Sequence, residues 1–223
     1  METSTLITVV GSLALGYACG NFLTADLVAR GYAHRPVFEL GDGNPGMANV
    51  GHELGMRAAA LVLVDILKTV VAWATARALL SETPGLAGVI AGLGVTLGHN
   101  YPCWRRFRGG KGVTTTCSAI ILATPLAGMV ASLVGLAVVL FSGYLCLGAV
   151  ANILPDLTWA YWILTALLRG PVSIESVVAL VLTLLMMRAH WPALAGIRAG
   201  TTHKARLARA LRSRLGIRGH TRR

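Results

Sequence analysis

GVTTTCSAIILATPLAGMVASLVGLAVVLFSGYLCLGAVANILP, residues 112–155, runs for 44 positions without an Asp, Glu, Lys or Arg, and only Lys111 and Asp156 bound it. A helix rises about 1.5 Å per residue and about 20 apolar residues cross a hydrocarbon layer of about 30 Å, so the stretch holds two crossings and a turn. Pro125 is the natural break, because proline lacks an amide hydrogen and disfavours helix in the residue before it. The alternative is a single kinked crossing. The rest of the chain agrees with a membrane setting: of 223 residues, 55% are hydrophobic and 13% charged, and the mean hydropathy is +0.65. That composition excludes a disordered chain and a disulfide-stapled secreted fold. Cys19, Cys103, Cys117 and Cys146 have no CxxC spacing and read as packing residues.

Working outward, apolar runs occupy 6–25, 58–80, 86–99, 114–123, 126–140, 147–168 and 172–187. They predict an all-α polytopic membrane protein of about seven transmembrane helices with three cytoplasmic motif loops. Residues 1–190 form a single transmembrane domain in this reading, and 191–223 a basic tail. The first run has no basic residue ahead of it and no convincing cleavage site, so it reads as a retained helix. Seven crossings place Arg105, Arg106, Arg108 and Lys111 on the same side as the tail and the long 26–57 loop; six would separate the two basic clusters. The positive-inside rule makes that shared side cytoplasmic. From Arg188 onward there are ten Lys or Arg and no acid, which accounts for most of the net charge of +11. Leu207, Leu211 and Leu215 recur among Arg206, Arg209, Arg212 and Arg214, the pattern of an interfacial amphipathic helix on anionic lipid rather than of a nucleic-acid-binding arm. Gly85, Gly88 and Gly92 are candidate helix-packing positions, within one chain or between chains.

Three stretches carry more than a connection needs. GDGNPGMANVG, 41–51, is rich in glycine and reads either as converging amides around an anion or as a flexible turn. GHNYPCWRRFRGGKGVTTT, 98–116, sets glycines and Lys111 directly before a helix start, which suits a phosphate; it lacks the spacing and strand of a Walker loop. Arg105, Arg106 and Arg108 read as topology signals, whereas the glycines around Lys111 have no topological purpose. The third stretch, RAHWPALAGIRAG at 188–200, leaves the last helix with His190 near the interface, as a proton acceptor, a donor or an interfacial side chain. Asp65 and Lys68, three residues apart inside the second span, can share their desolvation cost and read as a pair supporting the first loop.

Together these residues resemble the bacterial acyl-phosphate:glycerol-3-phosphate acyltransferases. The resemblance covers GSLALGY at 11–17, GDGNPGMANVG at 41–51, DILK at 65–68 and GHNYPCWRRFRGGKG at 98–112, with His190, Gly200 and Thr201 similar to a third motif. It implies seven helices in the bacterial cell membrane, three cytoplasmic loops around one site, and transfer of an acyl group from acyl phosphate to the 1-hydroxyl of glycerol 3-phosphate for phospholipid biosynthesis. The implied partners are those two substrates and membrane lipids; no cofactor, metal, nucleic acid or stable protein partner is implied. An acyl phosphate is already activated, so neither a covalent nucleophile nor a Ser-His-Asp set is needed. The site needs two phosphate subsites, oxyanion stabilisation and a place for the hydroxyl proton. By resemblance, His190, Lys111 and Asn44 are expected to be catalytic. Gly43, Gly46, Asn49, His99, Gly109, Gly110 and Gly112 are expected to bind substrate.

Six motif positions depart from the family pattern, which has serine at Asp42, threonine at Ala48, arginine at His52, asparagine at Ala193, arginine near Gly196 and glutamate at Thr202. A carboxylate gained and an arginine and an amide lost all weaken anion binding. Two alternatives follow. One is a divergent paralogue that holds a phosphorylated lipid or another acceptor with lost or altered catalysis. The other is a divalent cation held by Asp42 and His52 with His99 or His190.

Overall fold

The computed structural model describes residues 3–80, 83–152, 173–202 and 204–205, and the regular structure among them is entirely helical. The helices are α1 (Thr3–Gly20), α2 (Thr24–Ala33), α3 (Met47–Glu53), α4 (Met56–Leu61), α5 (Val64–Leu79), α6 (Pro84–Asn100), α7 (Val113–Ala123), α8 (Pro125–Ser142), α9 (Leu145–Ala151) and α10 (Ile174–Ala199). Among the described residues four stretches are long and apolar enough to cross a membrane: Thr3–Ala33, Met56–Leu79, Pro125–Ser142 and Ile174–Ala199. Val113–Ala123 is a shorter apolar helix. The run expected at 147–168 falls mostly outside the described residues, as does the interfacial helix expected around Leu207, Leu211 and Leu215.

The charge-free block does not form one kinked helix. Thr124 leaves helical geometry at φ −136° and ψ 76°, α8 starts on Pro125 in its first turn, and α7 and α8 pack on each other. Proline suits a first turn because the amide it lacks has no helical partner there. The outer face of α8, including Leu126, Leu133 and Phe141, is exposed, as a face turned toward hydrocarbon requires.

The last helix corrects the sequence reading. Expected to end at 187, it runs on to Ala199 and contains Pro192. Proline removes one hydrogen bond from the ladder, but ALAGIRA beyond it continues the helix until Gly200 closes it at φ +72°. His190 therefore lies within a helix rather than at its exit, and the division expected after residue 190 falls inside α10.

Helix α6 is the hub. Of its 17 residues 13 are buried, and α1, α5, α7 and α10 pack around it. Its contact with α1 is backbone against backbone: a side chain at Gly16, Gly20 or Gly98 would run into the carbonyl of Ala91, Val95 or Tyr17. This is the small-residue seam by which helices associate when lipid, not water, surrounds them. Of the glycines expected to pack, Gly88 lies against Trp73 and Gly92 against Ala119, both within the chain, while a side chain at Gly85 would meet nothing within 4 Å. Ile90, Leu93, Ile120, Leu182 and Met186 form the core between α6, α7 and α10. A second cluster, with Val28, Val37, Val50 and Val62, underpins the first motif loop.

Candidate functional site

Beyond α6 the chain reverses sharply. A short 3-10 turn at Cys103–Arg105 is followed by Arg106 and Phe107 in left-handed geometry, at φ 53° and 59°. The loop then folds back on the helix it has just left, with Gly109 N donating to Asn100 O and Gly110 N to His99 O, both at 2.9 Å. Three bonds tie it to α1 and the residue that follows it: Tyr17 Oη donates to Tyr101 O at 2.7 Å, Cys103 N to Asn21 Oδ1 at 2.9 Å and Trp104 Nε1 to Asn21 O at 2.9 Å. Glycine is required here by close approach. A side chain at Gly110 would enter the His99 ring, and one at Gly112, where φ is +72°, would enter the Asn100 amide.

Several expected ligand amides are thus committed within the fold. Gly109 and Gly110 serve the last carbonyls of α6, while in the first motif Gly43 N donates to Leu40 O and Gly46 N to Asn44 O, each at 2.8 Å. Among the described residues the amides of Lys111 and Gly112 make no such bond. Gly112 precedes the N-terminus of α7, where the helix presents its positive end.

Asn49 is likewise turned inward. Its Nδ2 donates to Leu40 O at 2.9 Å and Asn44 O at 3.1 Å, while its Oδ1 accepts from Asp42 N at 3.2 Å, so both amide hydrogens brace the loop. Asn44 is half-buried, and its backbone amide donates to Asp42 Oδ1 at 3.0 Å. The other carboxylate oxygen of Asp42 lies 3.8 Å from Lys111 Nζ, which joins the first and second motifs.

His99 stands on a buried polar stack. Asp65 Oδ1 accepts from Lys68 Nζ and from Thr24 Oγ1, both at 2.9 Å; Lys68 Nζ also donates to Phe22 O at 2.7 Å and lies 3.2 Å from His99 Nδ1. The Asp65 and Lys68 pair expected under the first loop thus reaches the second loop through His99.

On α10, His190 is 3% exposed and its Nδ1 lies 3.0 Å from Met186 O. Ala193, Gly196 and Thr202 form one self-bonded end: Thr202 Oγ1 donates to Ala193 O at 2.6 Å, and the amides of Thr201 and Thr202 converge on Gly196 O. A side chain at Gly196 would meet the hydroxyls of both threonines, so these departures from the family pattern are structurally coupled. His52 is exposed at the end of α3 and pairs with Glu53. The donor set considered for a divalent cation is therefore dispersed, with Asp42 on Lys111, His52 on Glu53, His99 on Lys68 and His190 on Met186. Among the described residues no group of three metal-ligating side chains occurs.

The second loop and α10 line an open cavity of about 600 Å³, whose walls include Asn100, Tyr101, Phe107, Arg108, Lys111 and Arg188; Ala189 and Trp191 line it on either side of His190, which itself does not. Three cations therefore face one chamber. Asn100 is 5% exposed, and its Oδ1 is buried without a hydrogen-bond partner among the described residues. Next to the chamber lies an apolar cleft of about 370 Å³ formed by Val10, Leu13, Ala14, Tyr17 and Leu97, and the two share Tyr101 and Phe107. Sequence reasoning assigned Arg108 to topology and passed over Arg188 and Asn100. The available signals were the position of Asn100 directly after His99 and of Arg188 two residues before His190. Arg105 does have another task, stacking 4.2 Å over the Phe38 ring.

Fold and site together define a polytopic helical membrane protein with a cationic chamber beside an apolar cleft. The family model described as glycerol-3-phosphate acyltransferase matches residues 10–200, and the chain belongs to that family. It is 39% identical over 130 residues to glycerol-3-phosphate acyltransferase 1 of Lactobacillus johnsonii, a match that covers 58% of this chain and 63%, under two thirds, of that protein. Against the glycerol-3-phosphate acyltransferase of Allorhizobium ampelinum it is 35% identical over 162 residues, covering 72% of this chain and 77% of the relative. The fold is similar to the crystal structure of PlsY, an integral membrane glycerol 3-phosphate acyltransferase, in its glycerol 3-phosphate form: the TM-score is 0.72 at 23% identity, over 94% of this chain and 99% of that one. The lysophosphatidic acid form of PlsY gives a TM-score of 0.71 at 22% identity, over 88% and 94% of the two chains.

Proposed function

We propose that this protein is a membrane acyltransferase that moves the acyl group of an acyl phosphate to the 1-hydroxyl of glycerol 3-phosphate, making lysophosphatidic acid for phospholipid biosynthesis. The observation that carries the reading is the adjacency of the two cavities. A chamber with Arg108, Lys111 and Arg188 suits phosphate oxygens, and the apolar cleft sharing Tyr101 and Phe107 suits the acyl chain of the same donor. Membership of the family supports the reaction.

In the reaction the 1-hydroxyl oxygen attacks the acyl carbonyl carbon and forms the ester bond. The bond between that carbon and the phosphate oxygen breaks, and phosphate leaves with the electron pair. Lys111, the amides of Lys111 and Gly112, and the α7 N-terminus stabilise the charge on the leaving phosphate and the tetrahedral oxygen. His190 receives the hydroxyl proton. Asn44, within the first loop, offers a polar contact to the acceptor.

The chamber and its basic loop belong to the cytoplasmic side of the bacterial cell membrane by the positive-inside rule, the same side to which that rule assigns the basic tail. The test is to purify the protein in detergent, supply palmitoyl phosphate with glycerol 3-phosphate, and measure phosphate release and lysophosphatidic acid together. Stoichiometric appearance of both is the expected result; folded protein that yields neither removes the proposal. A second reading, a paralogue that binds phosphorylated lipid without transfer, is favoured by one observation: the Asp42 carboxylate beside Lys111 competes with substrate phosphate. Its signature is co-purifying phosphorylated lipid with no product formed.

A further inference from the structure

His99 abuts Gly110 in the loop that carries Lys111, His190 stands on α10 between the chamber-lining Ala189 and Trp191, and the groups behind the two histidines assign opposite tautomers. An ammonium offers hydrogens and no lone pair. Lys68 Nζ, held by Asp65 Oδ1 at 2.9 Å and Phe22 O at 2.7 Å, directs its remaining hydrogen toward His99 Nδ1 at 3.2 Å and Gly20 O at 3.3 Å. His99 Nδ1 therefore carries the lone pair. Asp65 Oδ2, at 3.9 Å from the same nitrogen, is too far to accept a hydrogen from it. The hydrogen of a neutral His99 consequently sits on Nε2, the ring atom that abuts Gly110 in the loop carrying Lys111. His190 is the reverse case: its Nδ1 lies 3.0 Å from Met186 O, which can only accept, so Nδ1 bears the hydrogen and Nε2 the lone pair.

We infer that Asp65 and Lys68 are positioning residues that hold His99 as an Nε2–H donor beneath the Lys111 loop, and that His190 is the imidazole with a lone pair available to the site. The tautomer assignment stands on the fold alone; the division of labour between the histidines rests on the acyl transfer proposed above. It follows that an intramembrane ion pair three residues apart, costly to bury, acts at a loop more than thirty residues away in sequence. Asp65 anchors the ammonium, the ammonium sets the ring, and the ring supports the glycine where a side chain would not fit.

The experiment is nitrogen-15 NMR of the histidine-labelled full chain in detergent at neutral pH, with His99 and His190 assigned from His99→Gln and His190→Gln spectra. The expected wild-type spectrum shows a protonated Nε2 and bare Nδ1 for His99, and the opposite for His190. Lys68→Met should turn His99 into a tautomer mixture, while Lys68→Arg, which still donates, should preserve Nε2–H. On acyl transfer, Lys68→Met should lower kcat about ten- to a hundredfold, as loss of a histidine's orienting partner does elsewhere, and Lys68→Arg should recover part of it. A wild-type His99 protonated on Nδ1 overturns the inference without requiring any variant to fold, and so does an unchanged tautomer in folded Lys68→Met. Should acyl phosphate and glycerol 3-phosphate yield no product, the proposed function falls while the tautomers remain measurable.

Discussion

The two glycine-rich loops of this protein look alike in sequence and differ in what their backbones do. In 41–51 the amides of Gly43 and Gly46, together with both amide hydrogens of Asn49, turn inward and bond the loop to itself. In 98–112 the amides of Gly109 and Gly110 bond instead to the end of α6, and the loop thereby delivers Lys111 and Gly112 to the start of α7. Glycine content reports only that a backbone can approach something closely. The first loop is a brace whose tip meets the site through Asp42, whereas the second is a cradle with a cation at its end.

The largest expected effect breaks or upholds that contrast at its centre. Lys111→Ala should lower turnover about 10²- to 10³-fold, the loss typical of removing one preorganised stabiliser of developing negative charge. Steady-state phosphate release with a melting curve checks it, because a half-exposed lysine should leave the fold intact. Next comes the cradle's backbone. Gly110→Ala pushes a methyl group into the His99 ring, and the displaced loop should cost up to about 10²-fold in turnover, since small misplacements near reacting atoms are expensive. Gly46→Ala in the brace meets only the movable end of the Asn44 side chain and should cost much less. Equal losses in the two variants would erase the distinction between the loops.

Arg188 sharpens the comparison from the other wall of the chamber. If it holds substrate phosphate opposite the cradle, Arg188→Ala should raise KM for a phosphate-bearing substrate about tenfold with kcat nearly unchanged, in keeping with loss of one charged hydrogen bond. A fall in kcat at constant KM would instead place Arg188 at the transition state.

How much of this was legible beforehand differs by element. The charge-free block and Pro125 announced separate helices, and the cation before α7 announced the cradle, because each signal is local: a missing charge, a missing amide hydrogen, a lysine among glycines. Arg188 was hidden because the apolar run ends at 187 and the first charge after it reads as the exit from the span, while the structure continues the helix through Pro192 to Ala199. The α1 and α6 seam was present as paired glycines four apart, at 16 and 20 and at 94 and 98, but partner choice depends on which faces meet in three dimensions. The inward direction of the Asn49 amide and the reach of Lys68 to His99 are tertiary facts with no spacing to betray them.

The smallest effect concerns the point where brace and cradle touch. Asp42 lies 3.8 Å from Lys111, and the two side chains are 59% and 38% exposed, so water and salt screen their attraction. Exposed pairs of this kind are worth at most about 1 kcal/mol, which bounds the competition that Asp42 offers an incoming phosphate. Asp42→Ser keeps a side-chain oxygen that can accept from the Asn44 amide, and so preserves the brace while removing the charge. It should lower KM for the phosphate substrate by about two- to fivefold, with the gain shrinking as ionic strength rises. An increase in KM, or a gain indifferent to salt, would mean that Asp42 orients Lys111 rather than occupying it, and the carboxylate at the tip of the brace would then belong to the working site.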